Sequence, residues 1–388
     1  MATALSRMEL TDQSRASLGE AGAIEPLVKM FNAGNLEAKL CASSALQNLS
    51  SLKENIQRLI NSGIVVALLQ LLFSVTSVLM TLREPASAIL ARIAQSESIL
   101  VSQDIAQQML SLLHLSSPVI KYHLLQALNS IAAHPSASKV KRKMRENGAV
   151  QLLQPFLTET NTKIRTGALE LIYTLSKDLP GELTEQLQET HLNIIVNIIS
   201  TSIFESEKAA AAGILSNFPV SDKKVTDIIK KANLLPIIVS IMSSIPATST
   251  PTTEWLTQSI AGAVSPLVQS LLGNEREADE AILGALATLL QDEIWENGSN
   301  YIAKNSGVQA IIKVPELGTV KAQEQAVWML ERIFRVEAHR VQYGESAQVV
   351  LIDLAQKGDP KLKPTIAKLL AQLELLANSI KLLLRYFT

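Results

Sequence analysis

Residues 138–177, SKVKRKMRENGAVQLLQPFLTETNTKIRTGALELIYTLSK, place a short charged segment, a glycine, an apolar run and a longer amphipathic run one after another. Val140–Glu146 reads as a short charged helix. Gly148 fits a sharp turn that needs an unusual backbone angle. GAVQLLQPFL then reads as an apolar second helix, and NTKIRTGALELIYTLSK as a polar turn opening a third, Ala/Leu-rich helix. Ala168, in the middle of that third helix, is small enough to let a neighbouring helix approach closely. Three helices in about forty residues is the armadillo pattern, whereas two would favour the HEAT pattern.

The same phrases recur in both directions along the chain. The apolar second-helix phrase is GAIEPLVKMF at Gly22, GIVVALLQLL at Gly63 and GVQAIIKVPEL at Gly307, with weaker copies at Asp104, His191, Asn233 and Ala263. The steps from 22 to 63 and from 63 to 104 are 41 residues each, followed by 44, 43 and 42 to positions 148, 191 and 233. Small residues recur in the third helices at Ala45, Ala88, Ala127, Ala212, Ala285 and Ala367. The expected fold is all-α: a right-handed armadillo-type helical repeat superhelix, a solenoid of about eight to nine repeats in which each repeat contacts its neighbours. The register shortens to 30 residues between 233 and 263, beside SSIPATSTPTT at 243–253. The expected organisation is N-terminal repeats over 1–242, an irregular Ser/Thr/Pro-rich junction over 243–264, and C-terminal repeats with a cap over 265–388.

Composition agrees with a stack of small aliphatic helices: of 388 residues, 47% are hydrophobic and only 4% aromatic. With 35 basic and 36 acidic residues the chain lacks a sequence-wide electrostatic footprint for nucleic acid. The one cysteine, Cys41, excludes an internal disulfide framework and a cysteine zinc cluster, and it is expected as a buried structural thiol. The N-terminal segment lacks the features of a secretory signal. Leu59–Leu82 carries no charged residue and is long enough to span a bilayer, but its polar interruptions and its fit to the repeat favour buried helices. There is no phosphate-binding loop, no H-E-x-x-H, and no metal-ligand spacing among the five histidines. No catalytic residue, metal, cofactor or small-molecule substrate is expected.

In wording as well as period, the chain resembles the armadillo region of plant U-box ubiquitin ligases. The resemblance rests on MATALSRMELTDQSRASLGEAGAIEPLV (1–28), ALQNLSS (45–51), KAAAAGILSNFP (208–219) and AVWMLERIFRVEAHRVQYGESAQVVLIDLAQKGD (326–359). It implies a scaffold that binds ubiquitination substrates or regulators, while a U-box recruits the conjugating enzyme. No U-box-like segment stands in this sequence, so the chain is expected to be a shortened form, without ligase activity of its own.

In armadillo proteins that grip extended peptides, third helices carry an asparagine ladder with a Trp one turn earlier. Asparagine suits this role because its amide both donates and accepts. Aligned on Asn48, the ladder positions here are Arg92, Ser130, Thr174, Asn217, Thr288, Arg332 and Gln372, and the Trp appears once, at Trp328. This excludes a nuclear-import type of generic peptide binder. Asn48, Arg92, Ser130, Thr174, Asn217, Trp328 and Arg332 are the candidate partner-binding groove, with a cation–π contact expected between Trp328 and Arg332. A second candidate is the basic run Lys139, Lys141, Arg142, Lys143 and Arg145, suited to acidic protein segments or anionic lipid. The C-terminal SIKLLLRYFT (379–388) is expected to cap the last repeat, or to lie on a membrane. The leading function is a protein-binding scaffold in ubiquitination, and the alternative is a peripheral membrane adaptor. The expected location is cytoplasmic, with the plasma-membrane surface and the nucleus left open.

Overall fold

The computed structural model describes residues 10–74, 79–101, 104–178, 183, 185–218, 228, 234, 237–238, 241, 250–272, 279–288, 290, 295–304 and 306–373. Among them there is no strand. The chain forms two compact units, 1–187 and 188–388.

Unit 1 is built from consecutive helix triplets. The first is α1 (Asp12–Glu20), α2 (Ile24–Ala33) and α3 (Leu36–Leu49). The second is α4 (Lys53–Asn61), α5 (Ile64–Phe73) and α6 (Met80–Ile93). In the third, a 3₁₀ turn at Glu97–Val101 replaces the first helix before α7 (Asp104–Leu112) and α8 (Pro118–Ala133). The fourth is α9 (Ser138–Glu146), α10 (Ala149–Leu153) with a 3₁₀ extension at Gln154–Thr158, and α11 (Thr162–Ser176).

The glycines at the expected turns do the expected work. Gly22, Gly63 and Gly148 sit at φ of 76°, 77° and 74°, the left-handed region where a Cβ is penalised. Each left-handed residue swings the chain from first to second helix. At Gly63 this bends α4 against α5 by 81°, which breaks the uncharged run from Leu59. Among the described residues no single helix is long and apolar enough to cross a membrane. Ile64, Leu68 and Leu72 of α5 are instead buried in the repeat core. The third helices α3 and α11 begin on side-chain caps: Asn35 accepts from the Ala38 N–H and Asn161 from the Lys163 N–H, each satisfying a donor left open by the helix start.

The third helices α3, α6, α8 and α11 pack side by side in chain order. Ala45, Ala127 and Ala168 are fully buried along that row, as their small size requires. Leu46, Leu90, Leu128 and Leu169 fill the space behind them, each contributing about 1.5–3 kcal/mol by burial.

Unit 2 contains α12 (Glu189–Thr201), α13 (Glu205–Ser216), α14 (Pro251–Leu272), α15 (Asp279–Thr288), α16 (Trp295–Lys304), α17 (Gly307–Leu317), α18 (Val320–Ile333), α19 (Glu337–Lys357) and a helical stretch over 363–373. Two features differ from the sequence reading. The irregular junction expected over 243–264 is helical from Pro251 onward, because Pro tolerates the first helical position and the Thr250–Thr253 bonds cap the start. Residues 242–249 lie outside the described residues. The second difference is the turn before α17, where the left-handed residue is Ser306 at φ 61° rather than Gly307. Gly307 is instead needed for space, since a Cβ there would lie 2.6 Å from Ile302 Cγ2. Ser306→Gly is therefore expected to raise unit 2 stability by about 0.5–1 kcal/mol, read from the midpoint of urea unfolding.

Candidate functional site

The candidate groove residues do not form one uniform ladder. Arg92, on α6, points its guanidinium back at the end of α3: Nη1 donates to the Gln47 carbonyl at 2.5 Å and to Ser50 Oγ at 2.9 Å. In unit 2, Arg332 on α18 does the same, with Nη1 donating to the Leu290 carbonyl at 3.0 Å. Helix C-termini leave carbonyls without intrahelical donors and carry partial negative charge, so an arginine from the next repeat is a fitting partner. Arg332 also stands 4.5 Å from the Trp328 ring, the cation–π contact expected from their spacing.

Arginines close carbonyls over shorter spans as well. Arg83 Nη2 donates to the Leu72 carbonyl behind α5, Arg165 Nη1 to Glu159, and Arg340 Nη1 to Phe334 behind α18. These three were not singled out from the sequence. Other ladder positions serve locally. The Ser130 hydroxyl donates to the Gln126 carbonyl of its own helix, and Asn217 is the C-cap residue of α13. Asn48 and Thr174 are half-buried on α3 and α11. Beside the ladder, Asn129 reaches across repeats, its Nδ2 donating to the Gly167 carbonyl at 2.8 Å. Gly167 gives that carbonyl access, because a Cβ there would stand 3.1 Å from Leu125 Cβ.

Three polar groups on the third-helix face of unit 1 stand out electrostatically. Arg92 forms no ion pair among the described residues, and burial followed by the charge of Arg15 holds its guanidinium below the ordinary range. The His123 ring on α8 shares Nδ1 with Ser87 Oγ at 2.8 Å, and its pKa is lowered by burial and by Arg92, with Glu84 opposing. Glu170 on α11 is half-buried with no cation or donor beside it among the described residues, and burial pushes its carboxyl pKa upward. The folded state therefore resists ionisation of Glu170, so the stability penalty is full above its folded pKa and is relieved as pH falls. Glu170→Gln is expected to raise the urea midpoint of unit 1 at pH 7, with the gain over the parent disappearing as pH falls towards the ordinary value of 4.5.

A polar cavity of about 390 Å³ opens on this face between α3, α6 and α8. Ser50, Ser51, Arg92, Gln95, His123 and Gln126 line it. A larger and more apolar cavity, about 670 Å³, lies elsewhere in the unit, against α5 with Val66, Leu69 and Phe73 in its wall.

The basic run on α9 is largely engaged with carboxylates. Lys141 and Arg145 stand 3.4 and 3.1 Å from Asp178, Lys143 stands 2.5 Å from Asp104, and Arg142 stands 3.6 Å from Glu146 one turn on. Lys139 is exposed. Two of these partners belong to neighbouring segments, so the run ties α9 to α7 and to the end of α11. The terminal candidate, 379–388, lies outside the described residues. Among the described residues no group of three His, Cys, Asp or Glu side chains is placed to hold a metal ion. Cys41 is half-buried rather than fully enclosed.

Comparison with known proteins adds the sequence context. No family model matches the chain. U-box domain-containing protein 43 of Arabidopsis thaliana is 26% identical over 323 residues, covering 75% of this chain. U-box domain-containing protein 44 of the same plant is 30% identical over 227 residues, covering 55% of this chain. The chain spans 40% and 28% of the lengths of these two relatives. Among solved structures, the crystal structure of an engineered protein matches with a TM-score of 0.56 at 19% identity, covering 96% of this chain and 94% of that one, a likeness of fold. With its three-helix repeats and left-handed turns, the chain is an all-α armadillo-type repeat protein similar in sequence to plant U-box domain-containing proteins.

Proposed function

We propose that this chain is the partner-binding part of a plant U-box type ubiquitin ligase, and that the third-helix face of unit 1 holds the protein to be ubiquitinated or its regulator. One observation carries the proposal. That face keeps Arg92 without a carboxylate and Glu170 without a cation, both half-buried, although each would be more stable paired. Interfaces commonly retain such groups because a partner completes them. The similarity to U-box domain-containing proteins supplies the ubiquitination context. The carboxylates around α9 support a protein partner over an anionic membrane, since most of the basic run is already neutralised.

The test is site-specific cross-linking with the full chain in plant extract. A photoreactive residue at Thr174 or Tyr122, on α11 and α8, should capture a discrete set of proteins that the same group at Val66 on α5 does not. Fused behind a U-box, the chain should then transfer ubiquitin to the captured proteins when a conjugating enzyme is supplied. Indistinguishable capture from all three positions, or captured proteins left unmodified, would contradict the proposal.

A further inference from the structure

We infer that the cavity between α3, α6 and α8 is a receptor for an acidic side chain carried on an extended segment of the partner protein. The inference rests on the partner-binding reading above and names the chemistry of its ligand. Arg92 is the centre of the cavity. Its Nη1 is held by Gln47 and Ser50, which fixes the plane of the guanidinium. Its Nη2 and Nε have no hydrogen-bond partner among the described residues. Arginine is the side chain best suited to take an oxyanion on such a free edge.

The surroundings favour an anion as well. The neighbouring charge is Arg15, and the carboxylate close to Arg15 is Asp12, already paired with it at 2.6 Å. A cation facing a like charge in a recess, held only by neutral groups, lacks a counter-ion that an incoming carboxylate would supply. The other lining groups offer further donors: the amides of Gln95 and Gln126 and the hydroxyl of Ser51. Ser87 donates to the Glu84 carbonyl at 2.7 Å, so it accepts from His123 Nδ1–H. That leaves His123 Nε2 able to take a proton when an anion is near.

A single acidic residue fits better than a lipid surface. The same face carries Glu170 one helix beyond α8, and exposed Glu84 stands on α6 near His123. Fixed carboxylates on the same face repel a continuous anionic plane but accept a segment that presents a single acid to Arg92.

Fluorescence anisotropy with the full chain at low ionic strength tests this. The probes are a labelled Gly-Ser peptide carrying one central Glu and the same peptide with Gln in its place. The wild-type chain should bind the Glu peptide at least about tenfold more tightly. Arg92→Gln should abolish that preference. Gln126→Glu, which puts a carboxylate on the cavity wall without touching the Gln47 and Ser50 bonds, should abolish it too, with the urea transition unchanged. A preference that survives Gln126→Glu overturns the inference, as does equal binding of both peptides by the wild type. Arg92-dependent sedimentation with phosphatidylserine vesicles overturns it in favour of lipid. Selective cross-linking at Thr174 together with no Glu preference overturns the acid receptor and leaves the broader partner-binding reading standing.

Discussion

Asn55→Ala is expected to weaken unit 1 by about 3 kcal/mol, since it removes a fully buried amide that makes three hydrogen bonds at once. Asn55 is fully buried on α4. Its Nδ2 donates to the Arg15 carbonyl at 3.0 Å and the Leu49 carbonyl at 3.2 Å, and its Oδ1 accepts from Arg58 Nη1 at 3.1 Å. Alanine removes all three side-chain bonds and leaves a small void, although the Leu49 carbonyl keeps the Leu52 N–H at 3.3 Å; each lost hydrogen bond costs about 0.5–1.5 kcal/mol. The neighbouring Gly19 on α1 exists to make room: a Cβ there would lie 1.9 Å from Asn55 Oδ1. Gly19→Ala should therefore cost a comparable amount, by driving the amide off its carbonyls. In the Asn55→Ala background the same change should cost far less, so the double-mutant cycle is strongly non-additive. Hydrogen exchange across α1, α3 and α4, with urea unfolding, reads the result. A loss under about 1 kcal/mol for Asn55→Ala would contradict the account.

The second large effect is in unit 2. Gly262→Ala is expected to destabilise by about 2–3 kcal/mol, and Gly262→Val by more. In the middle of α14, Gly262 rests on Ser216 at the end of α13, and an added Cβ would stand 2.4 Å from Ser216 Cβ. That neighbour is a side-chain root rather than a flexible tip, so the helices themselves must separate. Ser216→Ala keeps that Cβ and should rescue nothing. Ser216→Gly removes it and should recover most of the loss, less about 1 kcal/mol for glycine in a helix. Thermal unfolding of the four chains separates a steric contact from a mere change in helix propensity, since propensity alone would make Gly262→Ala stabilising.

Much of the fold was legible because its determinants are local. A glycine between two apolar runs announces a left-handed turn, and Gly22, Gly63 and Gly148 all adopt one. Alanine at a fixed place in the third helix announces close packing, and Ala45, Ala127 and Ala168 are buried without remainder. Where local pattern conflicted with spacing, the reading slipped by a residue, as at Ser306 and Gly307, or mistook the Thr-rich start of α14 for irregular chain.

The candidate site was less legible for a different reason. Type and spacing identify Arg92 and Arg332 as polar positions on third helices, but not which carbonyl 42 or 45 residues earlier lies within reach. Ser130 and Asn129 are adjacent and equally polar, and only the helix rotation decides that Asn129 crosses to Gly167. The α9 basic run has the composition of an anion patch until Asp104 and Asp178, distant in sequence, arrive beside it. Asn55 sits in KENIQRLIN among charged neighbours and gives no sign of being the buried one.

The arginine and asparagine bonds that tie one repeat to the next have a bearing on how the chain is made. Arg92 to Gln47, Asn55 to Arg15, Asn129 to Gly167 and Arg332 to Leu290 all join residues 38 to 45 positions apart. None needs a strand or helix from a remote part of the sequence. Contacts of such short reach are met early, with little loop-closure entropy to overcome. On a ribosome, a repeat can dock on its predecessor within the same unit once about one further repeat has been extruded, so each unit can grow in the order of synthesis.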